Sequence, residues 1–395
     1  MAHAWYRVEQ FCKRNALYWL EKLLAREVLA PAQVNLAEIK RILVVRQHDM
    51  LGDFILATPV LSALRHNFPR AHIGVLVREY FAEVVTAHAE VDEILLFHEH
   101  GTRWTLRRAW SLWRQLRRGW DLTIVLNTVS HSLTSDVLAY FSKAKYVLGS
   151  EHRVFEGCAR NFFYNLLAPY AAEEKHQSER NLDIVCHIGV QPQHAAEVMY
   201  LTRIERERAR LKLHEWGWHS HGLVIGMHVG AGKIANRWPI EKFAELAQQL
   251  HEELGAQVLL FWGKNENDLA EKFCRLVRFA PIKIMPTALR EMAACFTFCN
   301  ALVCNDTGVM HVCAALNVPL VAIFGPTPPA LWKPIGESFL ALYGRDQTTA
   351  SVSVGEVRAA LLTLLKKFPQ PQAALAASPD SFSNSPATAG NAFQS

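Results

Sequence analysis

Two glycine-centred turns, Met50-Leu51-Gly52-Asp53 and Asn305-Asp306-Thr307-Gly308-Val309-Met310-His311, each directly follow a short apolar run. A run of four or five aliphatic residues that stops at a polar turn and passes into a helical pattern is the signature of a buried parallel strand feeding a helix. Finding that grammar in both halves of the chain constrains it to two similar α/β units that face one cleft. With 395 residues the chain exceeds the size of a single hydrophobic core. Half of the residues are hydrophobic and a fifth are charged, the balance of a globular enzyme.

In the first half, strands are expected at 42–45, 73–77, 93–97, 122–126 and 146–149, with helices at 53–68, 80–88, 132–141 and 181–189. The second half repeats the alternation. Strands are expected at 223–228, 257–261, 301–304 and 320–324, and helices at 239–254, 266–279, 289–298, 310–316 and 354–367. The expected organisation is a helical extension over 1–40, an N-terminal α/β domain over 41–195, a connection over 196–220 and a C-terminal α/β domain over 221–368. Residues 369–395, rich in Ala, Ser, Pro and Asn, need not fold.

Two segments have basic amphipathic character. Apolar residues recur at helical spacing from Phe11 to Leu29, accompanied by Arg14, Lys22 and Arg26, and Pro31 is expected to end that helix. It suits either an interfacial helix or one packed on the body. Six arginines and four tryptophans fall between Arg103 and Trp120, with Leu106, Trp110, Trp113 and either Leu116 or Arg117 spaced as a packing face. Its guanidinium groups are either solvated or meet a phosphorylated or lipid-linked substrate.

The net charge of +5 is too mild to argue for nucleic acid. Eight cysteines lack any framework spacing and read as thiols of a reducing compartment. Cys295, Cys299, Cys304 and His311 lack a zinc-knuckle spacing, so no metal site is expected. With no secretory leader and no bilayer-spanning run, the expected location is cytoplasmic, with peripheral contact at a membrane.

Open α/β sheets bind ligands beyond the carboxyl ends of their strands, which directs attention to the turns. Asp53 lies at a helix start, where it is either an N-terminal cap or a general base that takes the proton of an attacking hydroxyl; His48 is a rival base in the same turn. Gly230-Ala231-Gly232-Lys233 follows the first strand of the second half. It is neither a Walker loop nor the dinucleotide fingerprint, so it argues against those nucleotide classes. Its backbone amides, with Lys233 and Arg237, can still receive phosphate. The turn Asp306-Thr307-Gly308 opens another helix, an anion site by backbone geometry. Asp306 would there serve a sugar hydroxyl or hold the turn, and His311 would orient a diphosphate or fill the core.

The segments 45–59, 230–243 and 305–328 closely resemble the ADP-heptose:lipopolysaccharide heptosyltransferases, glycosyltransferase family 9, over roughly residues 41–350. Most specific are Asn305 to His311 and Phe324-Gly325-Pro326-Thr327, with the Leu51-Gly52-Asp53 turn and Arg237-Trp238-Pro239. The resemblance implies the GT-B architecture, two Rossmann-like domains facing a central cleft, with the acceptor on the N-terminal domain and the nucleotide-sugar on the C-terminal one. It implies an inverting transfer of heptose from ADP-heptose to the lipopolysaccharide inner core at the cytoplasmic face of the bacterial inner membrane, without an essential metal or other cofactor. It assigns Asp53 as base and Asp306, Thr307, Gly308 and His311 to the donor loop. The partners would be a nucleotide-sugar and an anionic lipid-linked oligosaccharide. The family commonly carries lysine two residues before the Trp-Pro pair, where this chain has Asn236, so Lys233 or Arg237 would have to replace its charge. Transfer of a different nucleotide-sugar to a cell-surface glycan and non-catalytic nucleotide-sugar binding are the competing readings.

Overall fold

The computed structural model describes residues 14–47, 50–98, 104–170 and 174–369. Cys12, His48, Arg103 and residues 370–395, on which several of the expectations above fall, lie outside the described residues.

Two six-stranded sheets carry the fold, and every strand pairing in them is parallel. The first contains β1 (Arg41–Val45), β2 (His72–Arg78), β3 (Glu93–Phe97), β4 (Leu122–Val125), β5 (Tyr146–Ser150) and β6 (Leu166–Ala168), in the order β3-β2-β1-β4-β5-β6. The second contains β7 (Val224–His228), β8 (Gln257–Phe261), β9 (Ile282–Ile284), β10 (Ala301–Asn305), β11 (Leu320–Phe324) and β12 (Phe339–Tyr343), in the order β12-β11-β10-β7-β8-β9. Counted from each sheet's own first strand, both have the Rossmann order, which reverses direction between the first and fourth strands. The expected α/β class with two Rossmann-like sheets is therefore the observed one.

Helices cover both faces. They are α1 (residues 14–24), α2 (Leu51–Ile55), α3 (Thr58–Asn67), α4 (Glu79–Val85), α5 (Leu106–Leu116), α6 (Leu133–Phe141) and α7 (Gln177–Cys186) in the first half. There follow α8 (Arg203–Glu215), α9 (Ile240–Leu254), α10 (Asn267–Leu276), α11 (Leu289–Phe296), α12 (Gly308–Ala315), the short α13 (Pro329–Trp332) and α14 (Val354–Lys367). Strand alternation divides the first sheet's contacts. Ile42 and Val44 pack toward α2, α3 and α7, whereas Leu43 and Val45 pack toward α1, α5 and α6.

Four expectations are corrected. The single helix over 53–68 is two, broken at Leu56 and Ala57, because Pro59 lacks an amide hydrogen and is accommodated in the first turn of a new helix. Helix α1 ends at residue 24, well before Pro31, which instead opens a one-turn 3-10 segment, Pro31–Gln33. The charged run 203–212 is helical, started by a capping box in which Thr202 and Glu205 bond reciprocally. Only one end of the packing face expected on α5 is buried: Leu116 goes in together with Leu112, while Leu106, Trp110 and Trp113 face outward.

The halves meet through more than the chain crossing. Buried Arg290 of α11 donates to both Glu205 carboxylate oxygens at 2.5 and 2.8 Å and to the Tyr200 carbonyl at 2.8 Å. It also donates to the carbonyls of Glu83 and Thr86, in the first half, at 2.7 and 2.9 Å.

Candidate active site

The turn after β1 and the turn after β10 stand at the reversal points of their respective sheets and pack directly on one another. A methyl group added to Gly52 would come within 2.8 Å of His311 Cδ2, and one added to Gly308 within 3.1 Å of the Gly52 amide nitrogen. No side chain fits between these backbones, so α2 and α12 can approach only through glycine. Asp53, one residue beyond Gly52, is therefore carried to the junction of the halves. It is the third residue of α2, and its Oδ2 accepts from the Met50 amide at 3.3 Å.

The turn is held from below. Buried Arg46 donates to the Asp53 carbonyl at 3.2 Å, to Asn181 Oδ1 at 3.3 Å and to the Leu126 carbonyl. Asn181 in turn donates to the Leu56 carbonyl at 3.0 Å and accepts from Thr128 at 2.7 Å. Beside it, Gln47 donates to Ser132 and Ser135 at 3.1 and 3.2 Å, so the reversal point between β1 and β4 is lined by small polar groups.

Across the junction, Thr307 is the extended N-cap residue of α12 and its hydroxyl makes no cap bond, so the first amides of that helix lack a side-chain cap. Asp306 receives two hydrogen bonds from the Asn236 amide, one to its carbonyl at 3.1 Å and one to Oδ2 at 3.0 Å. Burial raises the Asp306 carboxyl above the ordinary aspartate value, against the pull of the Thr327 hydroxyl, His311 and Lys233. The native protein thus keeps this proton to higher pH than the unfolded chain. The linked stability is full below about 3.8 and is lost as pH rises through the raised value. Asp306→Asn should accordingly raise the thermal midpoint at neutral pH while weakening donor binding; an unchanged or lowered midpoint in a melting scan refutes the burial argument.

The loop after β7 separates the two candidate replacements for the missing lysine. Arg237 donates to Glu266 Oε1 at 3.0 Å and to the Ala231 carbonyl at 2.8 Å, so it is committed to the loop itself. Lys233 is exposed and lies within electrostatic reach of Asp306. A methyl group on Gly230 would sit 1.6 Å from Glu266 Oε2, so the glycine also makes room for that carboxylate. Gly232 is exposed with nothing near its missing side chain. If Lys233 alone meets the diphosphate, Lys233→Ala should raise the donor KM roughly tenfold with little change in kcat. Arg237→Ala should register mainly as lost stability. Steady-state kinetics with varied donor would expose the reverse pattern.

His311 is buried, and its Nδ1 lies 3.1 Å from Glu197 Oε1, itself buried in the connection between the halves. The neighbouring backbone binds both sides, Val198 N to the Thr58 hydroxyl at 2.9 Å and Met199 N to the Ala315 carbonyl at 3.0 Å. With Nδ1 engaged by a carboxylate, the imidazole is fixed with its other edge against Gly52. Glu197 and Glu266 carry no local motif, and only tertiary contact reveals them. Asn305 belonged to a recognised motif but does structural work: it accepts from the Trp238 amide at 2.8 Å and donates to the Val229 and Gly230 carbonyls at 3.1 Å.

The four second-half cysteines near β10, Cys295, Cys299, Cys304 and Cys313, are buried, and burial pushes the Cys295 thiol up to about 12. A groove of about 420 Å³, lined by Trp262, Cys274 and Met285 among others, lies between α10 and the edge strand β9. It is offset from the junction, though Trp262 Nε1 donates to Asn267, the neighbour of Glu266, at 2.7 Å.

The profile of glycosyltransferase family 9 (heptosyltransferase) matches residues 109–358, more than half of the chain. Lipooligosaccharide heptosyltransferase 2 of Haemophilus influenzae is 27% identical over 312 residues, 73% of this chain and 84% of that protein. Lipopolysaccharide heptosyltransferase 3 of Escherichia coli is 26% identical over 301 residues, covering 74% and 85%. Among solved structures, a family 9 glycosyltransferase from Veillonella parvula superposes with a TM-score of 0.72 at 23% identity, over 83% of this chain and 97% of that one. ADP-heptose LPS heptosyltransferase II of E. coli gives 0.67 at 23% identity, over 83% and 99%. These superpositions share the GT-B fold. With a family match over most of the two-sheet body, this chain belongs to glycosyltransferase family 9, the heptosyltransferases, and is a glycosyltransferase.

Proposed function

We propose that this enzyme transfers heptose from ADP-heptose to an inner-core acceptor of lipopolysaccharide, with inversion at the anomeric carbon. The supporting observation is the glycine-to-glycine contact, which sets the Asp53 turn of one half against the Thr307-Gly308 helix start of the other. The names of the relatives point the same way. Two are lipopolysaccharide or lipooligosaccharide heptosyltransferases, and an E. coli heptosyltransferase of the same fold was solved with ADP.

In this reading the donor diphosphate sits at the amino end of α12, where backbone amides without a side-chain cap favour anionic oxygen, with the Thr307 hydroxyl and Lys233 beside it. Asp306, steadied by Asn236, accepts from a donor hydroxyl. The acceptor hydroxyl approaches from the first half and gives its proton to Asp53 as its oxygen bonds to the anomeric carbon. The bond from that carbon to the diphosphate oxygen breaks on the opposite face, and ADP leaves with the electron pair. His311, oriented by Glu197, lines the junction beside the Gly52 turn. Protein groups supply the charge compensation in this reading and no essential metal is expected, so chelation should leave the rate unchanged.

The Asn236 departure bears on which donor is used. Incubating purified protein with a panel of nucleotide-sugars and a heptose-deficient lipopolysaccharide acceptor tests this: ADP-heptose should be consumed only with acceptor present, and the product should carry the inverted linkage. Preferred use of another donor would refute the heptose assignment. Donor binding without turnover on any acceptor would instead favour a binding protein.

A further inference from the structure

We infer that the outer face of α1, α5 and α6 docks on an anionic phospholipid bilayer. This rests on the proposed lipid-linked acceptor for its biological sense but not for its physical argument.

All three helices cover the same face of the first sheet. Leu20 and Leu24 of α1, Leu112 and Leu116 of α5, and Leu138 and Ala139 of α6 belong to one apolar cluster with Leu43, Val45 and Val147. Since the inward contacts are made by these residues, the large apolar side chains left outside are not core residues out of place. On α5, Leu106 is 92% exposed, and Trp110 and Trp113 are 58% and 47% exposed, stacked with ring centroids 5.0 Å apart. On α1, Trp19 and Leu23 are 64% and 77% exposed, and Phe141 ends α6 in the open. Scattered exposed leucines need no explanation, but tryptophans and leucines gathered on one layer do.

The charge on that layer is predominantly positive. Arg107, Arg114 and Arg117 are exposed around the tryptophan pair, and Lys143 and Lys22 lie over the Tyr140 and Tyr18 rings at 4.4 and 5.6 Å. Only two acidic residues occur in these three helices, and both are engaged. Glu21 accepts from the Ala159 amide at 3.0 Å, and Asp136 is buried, accepting from the Tyr164 hydroxyl with His131 Nε2 at 2.8 Å. A soluble partner protein would be matched by mixed charge. An apolar aromatic surface ringed by an excess of cations matches the headgroup region of an anionic leaflet. Among the described residues no helix is long and apolar enough to cross a membrane, so this contact would be peripheral. Helix α5 follows β3 and therefore starts at the carboxyl edge of the sheet, the edge that carries the Asp53 turn. A bilayer on this face would lie beside the site at which a lipid-linked acceptor must present its sugar.

The test is sedimentation of the full chain with vesicles of phosphatidylcholine alone or mixed with phosphatidylglycerol. The protein should partition onto the anionic vesicles and hardly at all onto neutral ones, and salt should release it. Trp110→Ala with Trp113→Ala, and separately Arg107→Glu with Arg114→Glu, should each lower the partition coefficient at least tenfold, since each basic residue near such a surface contributes about 1 kcal/mol. Both pairs are exposed, so their melting curves should match the parent's. A parent that stays in the supernatant, or variants that partition like it, would overturn the inference, and so would capture by a protein with no vesicle binding. Transfer to a soluble, delipidated acceptor separates this from the functional reading. Both variants should keep the parent's acceptor KM. A raised KM would mean that these side chains bind the acceptor rather than lipid, while absence of transfer by every form would refute the function and leave the vesicle result standing.

Discussion

Asp53→Asn should lower the rate of heptose transfer by roughly 10²- to 10⁴-fold, the range attributable to a single general base, while donor affinity changes little. Asparagine is nearly the same size and can still accept from the Met50 amide, as Asp53 does at 3.3 Å. The capping interaction, the helix and the Gly52–His311 contact should survive, and what disappears is the capacity to take a proton. That choice also separates the two uses of the residue. If Asp53 served only as a helix cap, Asparagine at position 53 would keep nearly full activity, and an alanine variant would lose stability and activity together. Calorimetric titration with ADP and single-turnover transfer, measured on the same preparations, distinguish the cases. Equal turnover by parent and asparagine variant would remove Asp53 from the chemistry. Because Arg46 bonds the Asp53 carbonyl rather than its carboxylate, Arg46→Ala should act differently, loosening the turn and lowering stability as well as rate.

Much of this architecture was legible because buried parallel strands and amphipathic helices leave local signatures. β1, β2, β3, β7, β8 and β11 announce themselves as aliphatic runs ending at polar turns, and the Gly52 and Gly308 turns stand out for the same reason. The edge strands β6 and β9 are three residues each, too short for a periodic signal. The outward turn of α5 was missed because Leu106, Trp110 and Trp113 have the spacing of a core face. Only the position of Leu95 and Leu76 beneath Leu112 and Leu116 decides which stripe goes in. At the site, the residues in motifs were visible and their supports were not. Glu266 lies beyond the next strand from the Gly230 that it displaces. Glu197 reaches His311 across more than a hundred residues. Contacts at that range depend on how whole layers pack and leave no trace in nearby sequence.

Arg290→Ala should destabilise the protein by about 3–5 kcal/mol, the usual cost of removing one member of a buried, hydrogen-bonded ion pair. The guanidinium joins three parts of the chain: the Glu83 and Thr86 carbonyls of the first half, the Tyr200 carbonyl and Glu205 carboxylate of the connection, and its own helix in the second half. Truncation would take the Arg290 donor from three carbonyls and leave the Glu205 carboxylate with only its bonds from Thr202. Arg290→Lys should recover only part of the loss, because one ammonium cannot span the fork that meets both Glu205 oxygens. The pair also has a pH signature. Hydrogen bonding to Arg290, helped by Thr202 and opposed by burial, holds the Glu205 carboxyl down at about 2. A depressed carboxylate contributes stability above its ordinary value near 4.5, lost as pH falls toward 2. The parent should therefore weaken more steeply than Arg290→Ala across that acid window, and the gap between the two urea midpoints should narrow toward its lower end without closing, since the carbonyl bonds do not titrate. Since the arginine ties the halves together, its removal should also let them unfold in separable steps, seen as a split between near-ultraviolet and far-ultraviolet transitions. A variant that unfolds in one transition within about 1 kcal/mol of the parent would show that the α2–α12 contact, not Arg290, holds the active site closed.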